Sequence, residues 1–243
     1  MTFPIPSSLS RIPDAATLRP VLRRAYRLMR RRFGHQHWWP GDTPFEICVG
    51  AILTQNTSWR NVERAIAALK RARALSPRRM HALAPDELAA LIRPAGYFNV
   101  KARRLRSFVA VLMEEFGGRL DRLFAGPTAR VRDRLLAVNG IGPETADSML
   151  LYAGGHRVFV IDAYTRRVFA RHGWHRPDAT YDELQTLCVQ AYRGGAPDRE
   201  LDRFQDCHAQ WVVIGKDFCR PRNPRCAGCP LVALLPQAGP HAV

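Results

Sequence analysis

The chain has 243 residues, 47% of them hydrophobic, and a formal net charge of +16 with an isoelectric point near 10.7. That length allows one large domain or two small ones with a proper core, and no stretch approaches the roughly 18 apolar residues of a membrane span. The opening MTFPIPSSLSRIPD has no basic run followed by an apolar one, so no secretory signal is expected and the cytoplasm, with its nucleoid, is the default compartment.

The positive charge points to a polyanionic partner, because Arg and Lys that neutralise phosphates release counterions and bind nucleic acid without reading its sequence. An arginine-rich composition kept for solubility would give the same total. Lysine occurs only at Lys70, Lys101 and Lys216, so nearly all the charge is arginine. The six cysteines, in a cytoplasmic chain, read as core thiols or metal ligands before disulfides.

After a proline-rich leader, ATLRPVLRRAYRLMRRRFG places Leu22, Tyr26, Met29 and Phe33 at helical spacing, with arginines on the other face. HWWPGDTP breaks that helix. FEICVGAILTQNTSWRNVERAIAALKRAR then predicts a buried helix, a polar turn and an amphipathic helix. APDELAALIRPAG is a short capped helix closed by Pro94 and Gly96, and NVKARRLRSFVAVLMEEFGG is another, closed by Gly117. PTARVRDRLLAV leads into Gly140-Ile141-Gly142, and PETADSMLLYAGG leads out. Past HRVFVI come a helix from Ala163 to the region of Arg171, then YDELQTLCVQAYRGG and LDRFQDCHAQWVVIGKDFC. Val158 to Ile161 is strand-like but too short to seed a sheet. The pattern predicts an all-α protein of about ten short helices, without repeats or a long linker.

The Gly-Ile-Gly turn carries the first functional signal. Two helices joined by Gly-x-Gly make a tight hairpin in which a Cβ at either glycine is expected to obstruct the backbone. The turn leaves amides pointing outward beside the positive end of a helix that starts at Pro143, the position where proline fits best. Outward amides at a helix N-terminus make an anion site, and in a basic protein the anion is expected to be a DNA phosphate. A plain αα-hairpin with glycines for close packing is the competing reading. The frame of Leu135, Leu136, Val138, Ile141, Thr145, Ala146 and Leu150 resembles the helix-hairpin-helix motif of DNA repair glycosylases.

That resemblance extends over roughly Trp39 to Pro230. VFVIDAYTRRVFARHG falls where the family has its catalytic aspartate, which implies that role for Asp162; by itself the residue would also serve as an N-cap for the following helix. The two roles are compatible, since a carboxylate at a helix N-terminus stays ionised. GAILTQNTSWRNVERA and LIRPAGYFNVKARRL resemble endonuclease III segments through Gln55 and Asn56 and through Gly96, Tyr97, Asn99 and Lys101. The resemblance implies DNA contacts at Gln55, Asn56, Lys101, Gly140, Ile141, Gly142 and Thr145, with Gln55 filling the gap left by an extruded base. In bifunctional relatives the Schiff-base lysine stands after Gly-x-Gly-x; here that position is Glu144, which cannot form an imine. HWWPGDTPFE, LTQNTSW, RPAGYFNVKA and GIGPETAD together look like the bacterial endonuclease III-like 3-methyladenine glycosylases. That likeness implies a base pocket lined by Trp38, Trp39, Pro40 and Trp59.

FCRPRNPRCAGCPLVALLP spaces Cys219, Cys226 and Cys229 as the first three cysteines of the family's iron–sulfur loop, which implies a [4Fe–4S] cluster with Arg220, Arg222 and Arg225 nearby. The expected fourth cysteine falls on Leu235. His241 looping back or a non-protein ligand would complete the set, and a decayed or zinc-binding site is the alternative.

The resemblance implies a two-lobed, all-α helix-hairpin-helix glycosylase fold around a DNA-facing cleft. A six-helix barrel is expected over 45–155, and a second lobe with the cysteine loop over 15–44 plus 156–235. The implied activity is that of a monomeric, monofunctional DNA glycosylase that flips alkylated purines out of double-stranded DNA. The alternatives are an endonuclease III-type glycosylase/lyase for oxidised or mismatched pyrimidines, and a non-catalytic binder of DNA structures.

Overall fold

The computed structural model describes residues 15–176 and 178–242, so the proline-rich leader lies outside the described residues. Among these there are twelve α-helices and no strand. The chain divides into two compact units: Trp39–Val158 forms one, and the segments on either side of it form the other. Among the described residues no helix is long and apolar enough to cross a membrane.

The first segment supplies α1 (Ala15–Phe33), which buries Leu18, Leu22, Ala25 and Met29 along one face. Tyr26 and Phe33 sit at its half-buried margin, and seven arginines occupy the rest.

The inserted unit begins with α2 (Pro44–Leu53), started by the Thr43 hydroxyl accepting the Glu46 amide at 3.1 Å and by Pro44 in the first turn. Every residue from Phe45 to Leu53 is buried, which is why its sequence shows no polar face. α3 (Trp59–Arg71) is amphipathic and buries Val62, Ala65, Ile66 and Leu69. Then follow α4 (Pro77–Ala82), α5 (Pro85–Leu91), a 3-10 turn at Arg93–Ala95, and α6 (Phe98–Phe116), which ends at Gly117 with φ +63°. α7 (Leu120–Leu123), α8 (Thr128–Leu136) and α9 (Pro143–Ser148) complete the unit, with α9 running on as a π-helical turn over Met149–Ala153. α4 and α7 are too short to show a period, which accounts for the excess over about ten helices.

The chain re-enters the first unit through Phe159–Ile161, a buried extended stretch that pairs with no strand among the described residues. It leads into α10 (Ala163–Arg171), α11 (Tyr181–Tyr192) and α12 (Pro197–Val213). α11 carries a capping box in which Thr180 and Glu183 exchange hydrogen bonds. α1 is anchored by Asp206 of α12. This carboxylate, wholly buried, takes Tyr26 at 2.7 Å, Arg30 at 3.0 Å and the Gln36 amide at 2.8 Å. Nothing in the sequence pattern marks Asp206, because an acidic residue on an amphipathic helix reads as solvated.

Candidate functional site

The hairpin between α8 and α9 turns on two glycines that prove to do different things. Gly140 has φ +87°, and a Cβ there would stand 2.2 Å from Cγ of Arg104, which lies across the turn from α6. Gly142 has φ −96° and nothing within 4 Å of its would-be Cβ. The expectation that both glycines are needed against obstruction therefore holds only at Gly140. At Gly142 the space is open. The amides of Gly140 and Gly142 have no partner among the described residues, whereas the Ile141 amide donates to Val138 O and its side chain is buried. Ile141 thus serves as the hydrophobic peg of the turn. Arg132 of α8 grips the buried Asp147 of α9 through two hydrogen bonds, at 2.8 and 3.2 Å, and fixes the helix pair. Glu144 is exposed on the first turn of α9.

The α2–α3 turn is tied to this hairpin. Gln55 Nε2 donates to Gly140 O at 3.1 Å and to Thr145 Oγ1 at 3.0 Å, while its Oε1 accepts from Arg104. Asn56 is exposed in the left-handed region at φ +53°. Lys101 requires a correction: only 1% exposed, it donates to the carbonyls of Leu53 and Ala95, both at 2.8 Å. It closes the α2 terminus and the turn before α6 and offers no charge to a phosphate. Burial, with Arg104 nearby, lowers its pKa to about 8. Tyr97, by contrast, is 72% exposed and strained at φ +46°.

Of the four expected pocket residues, Trp39 and Trp59 come together edge to face, with centroids 5.3 Å apart. Tyr152 closes the group at 5.2 Å from Trp39. Gly50 of α2 lies beneath them, its would-be Cβ 3.4 Å from Trp39 and 3.7 Å from Trp59. Trp39 thus packs within the inserted unit, and the sequence boundary at residue 45 misses it. Pro40 is exposed in the same unit, and Trp38 is half-buried in the other.

Asp162 caps α10, its Oδ1 accepting the Thr165 amide at 2.7 Å. Its Oδ2 stands 3.6 Å from Nε2 of the buried His208, an ion-pair distance longer than a hydrogen bond. Burial pushes the Asp162 pKa up, but His208 and the Thr165 contacts outweigh it and hold the carboxyl below its ordinary value.

Cys219, Cys226 and Cys229 line one small cavity with His172, Leu231 and Leu235. α10 holds the loop directly: Arg167 donates to the carbonyls of Cys219 and Gly215, and Arg171 donates to those of Arg220 and Pro221 and, at 3.3 Å, to Cys219 Sγ. Burial pushes the Cys229 thiol up to about 11. No group of three or more His, Cys, Asp or Glu is placed to hold a metal among the described residues. His241 does fold back, but onto Gly173, with its amide on Arg171 O. Leu235, where the resemblance puts the fourth cysteine, lines the same cavity and offers no ligand atom.

Comparison with known proteins places this geometry. The family model of the HhH-GPD superfamily base excision DNA repair proteins matches residues 49–193. The chain is a member of that superfamily. A Methanocaldococcus jannaschii protein, MJ1434, provisionally named a DNA repair glycosylase, is 41% identical over 212 residues, 87% of this chain and 94% of its own. Endonuclease III of Thermotoga maritima is 26% identical over 203 residues, 82% of this chain and 84% of its own. Among solved structures, a non-covalent endonuclease III–DNA complex superposes with a TM-score of 0.73 at 23% identity, covering 89% of this chain and 94% of the other. The H. pylori 3-methyladenine DNA glycosylase MagIII, bound to 1,N6-ethenoadenine, superposes with a TM-score of 0.66 at 26% identity, covering 80% and 96%.

As an HhH-GPD protein the chain is a DNA glycosylase of base excision repair with the endonuclease III fold. The superfamily match contains the hairpin, Gln55 and Asp162 and stops before the cysteine loop. Arg104, Tyr152 and His208 escape sequence reading. Each sits on an otherwise ordinary helical pattern, and only the folded chain brings it to a motif residue.

Proposed function

We propose that this HhH-GPD protein is a monofunctional glycosylase for alkylated purines. The observation that carries the reading is the pairing of Trp39 and Trp59, with Tyr152, into one aromatic cluster of the inserted unit. N3- or N7-alkylated purines are cationic, and an indole face attracts such a base by stacking and cation–π contact, about 0.5–2 kcal/mol for each ring. A cationic base is already a good leaving group, so the protein has little need of a general acid. Asp162, ionised at the start of α10, stabilises the oxocarbenium-like sugar and orients the attacking water. The hairpin amides at Gly140 and Gly142 hold a backbone phosphate, and the exposed Tyr97 and Asn56 lie against the bases around the lesion. The likeness to an enzyme named for 3-methyladenine, at 26% identity, supports the same substrate class. Cys219, Cys226 and Cys229 would hold a [4Fe–4S] cluster by three thiolates, and its part would be to brace the loop. No step of base release runs through it.

Similarity to T. maritima endonuclease III favours a second reading, a glycosylase/lyase for damaged pyrimidines. Glu144, where bifunctional relatives carry lysine, weighs against it. One panel separates the readings: duplexes carrying 3-methyladenine, 1,N6-ethenoadenine, hypoxanthine, thymine glycol or a G·T mismatch, each incubated with and without borohydride. Release of the alkylated purines without a trapped protein–DNA adduct is expected. Release confined to pyrimidines together with a trapped adduct would establish the second reading, and binding without release of any base would leave a DNA-structure binder.

A further inference from the structure

A second cationic feature has no part in the proposed chemistry at Asp162. A cavity of about 480 Å³, within the size range of ligand sites, opens in the unit built from the two flanking segments. Its walls carry five guanidinium groups and no carboxylate: Arg19, Arg23 and Arg27 from α1, Arg193 after α11, and Arg203 of α12. Two of the five have structural work. Arg23 donates to the carbonyls of Ala191 and Arg193 at 2.7 and 3.1 Å, and Arg203 to those of Tyr192 and Gly194 at 2.6 and 2.9 Å. Together they tie off the carbonyl end of α11, where positive charge is favourable.

Arg19, Arg27 and Arg193 have no such task. None of these three guanidinium groups forms a hydrogen bond or an ion pair among the described residues. Arg19, Arg23 and Arg27 follow one another at four-residue spacing, about 6 Å of rise apiece, and like charges at that spacing destabilise a helix. Burial, and after it the charges of Arg19, Arg203 and Arg27, lower the pKa of Arg23. The nearest carboxylates are already engaged, Glu200 by the Gly194 amide and Asp206 by Tyr26 and Arg30, so a lining of five guanidinium groups is complementary to an anion from outside the chain.

The lining also says which anion. Guanidinium forks match phosphate oxygens. The hydroxyls that could read a sugar or a base edge are spent, Tyr26 on Asp206 at 2.7 Å and Tyr192 on Leu22 O at 3.3 Å. We infer that the cavity framed by Arg19, Arg27 and Arg193 is a second anion site, one that takes closely spaced phosphates and is separate from the lesion site. Two sources offer that chemistry: the DNA backbone beyond the lesion, and a free polyphosphate. The inference does not depend on which base the enzyme releases.

The test is the triple variant Arg19→Gln/Arg27→Gln/Arg193→Gln, which keeps Arg23 and Arg203 and so the α11 closure. Its unliganded Tm is expected to equal or exceed that of wild type, because the repulsion is relieved; a fall would show that the three arginines serve the fold and would overturn the proposal. In the first arm, affinity for a long lesion duplex is measured against salt. Each lost phosphate contact removes about 0.9 from the slope of log K on log salt, so a DNA-backbone site predicts a slope shallower by about 2–3 in the variant. On a duplex trimmed to the lesion's immediate surroundings the two slopes should then agree. In the second arm, inorganic tripolyphosphate should raise the Tm of wild type and leave the variant unmoved if the source is a free polyphosphate. A response in either arm supports the site and names its source. Equal slopes on the long duplex together with equal tripolyphosphate shifts in both proteins would refute it.

Discussion

The two hairpin glycines give a sharp experiment, because one is required by the protein and the other is open to its ligand. In Gly140→Ala the new Cβ sits at φ +87° and 2.2 Å from Arg104 Cγ. A left-handed alanine costs about 1–2 kcal/mol. Arg104 must also swing away, and its charged hydrogen bond to Gln55, worth about 1.5–3 kcal/mol, is lost. A total near 3 kcal/mol should lower Tm by about 6–12 °C for a chain of this size. Gly142→Ala has no such cost: φ is −96° and the space is empty. The gain of about 0.4–1 kcal/mol from a stiffer unfolded chain and the modest loss of a good N-cap offset each other to within about 1 kcal/mol. Its Tm should therefore stay within about 3 °C of wild type. Affinity for duplex carrying an abasic-site analogue should fall in Gly142→Ala, since the methyl group occupies the space through which a phosphate reaches the amides. Scanning calorimetry reads the first quantity and fluorescence anisotropy the second. Wild-type affinity in a normally folded Gly142→Ala would refute the phosphate reading of this turn. A Gly140→Ala as stable as wild type would refute the packing argument.

Four further outcomes are expected. Asp162→Asn should keep the α10 cap, as Asn caps as well as Asp, while base release falls at least about 100-fold; release at the wild-type rate in a single-turnover assay would remove Asp162 from the chemistry. Because the Asp162 carboxyl is held below its ordinary pKa, its contribution to stability is present above the unfolded value, near 3.9, and is lost only as pH falls through the lower folded value; acid titrations of wild type and Asp162→Asn should diverge above that window and converge below it. Trp59→Ala should cost a cationic alkylated purine about fivefold more in kcat/KM than neutral hypoxanthine, about 1 kcal/mol of cation–π attraction, and equal losses would make Trp59 a general stacking platform. Protein purified without oxygen should absorb broadly near roughly 400 nm and contain about four irons per chain, lost in Cys226→Ser; colourless protein with zinc or no metal would exclude the cluster.

What the sequence yielded and what it withheld separate along physical lines. Helices with a strong period, such as α1, α3 and α6, are legible because one face must be buried, and the hairpin is legible because glycine at Gly140 meets a backbone demand. Lys101 misleads for the opposite reason. A lysine in a basic chain reads as a phosphate contact, and only the fold shows two carbonyls waiting for it. Asp206 and Asp147 are hidden in the same way, since pairing makes burial of a charge tolerable and pairing is a tertiary fact. Trp39 lies between these cases: the likeness to the 3-methyladenine glycosylases implies its company with Trp59, but Tyr152 is brought to it by a helix far along the chain.

The interrupted unit has a consequence for how the molecule is made. Arg23 meets Ala191 across 168 residues and Tyr26 meets Asp206 across 180. The whole of Trp39–Val158 is synthesised between the two halves of that core. At about 5–20 residues per second, α1 spends on the order of ten seconds or more with Leu18, Leu22 and Met29 uncovered, while the inserted unit can already condense from contiguous chain. Closing so long a loop comes late and slowly. During synthesis the arginines of α1 therefore have a second task, keeping an exposed apolar stripe in solution until α11 and α12 arrive to cover it.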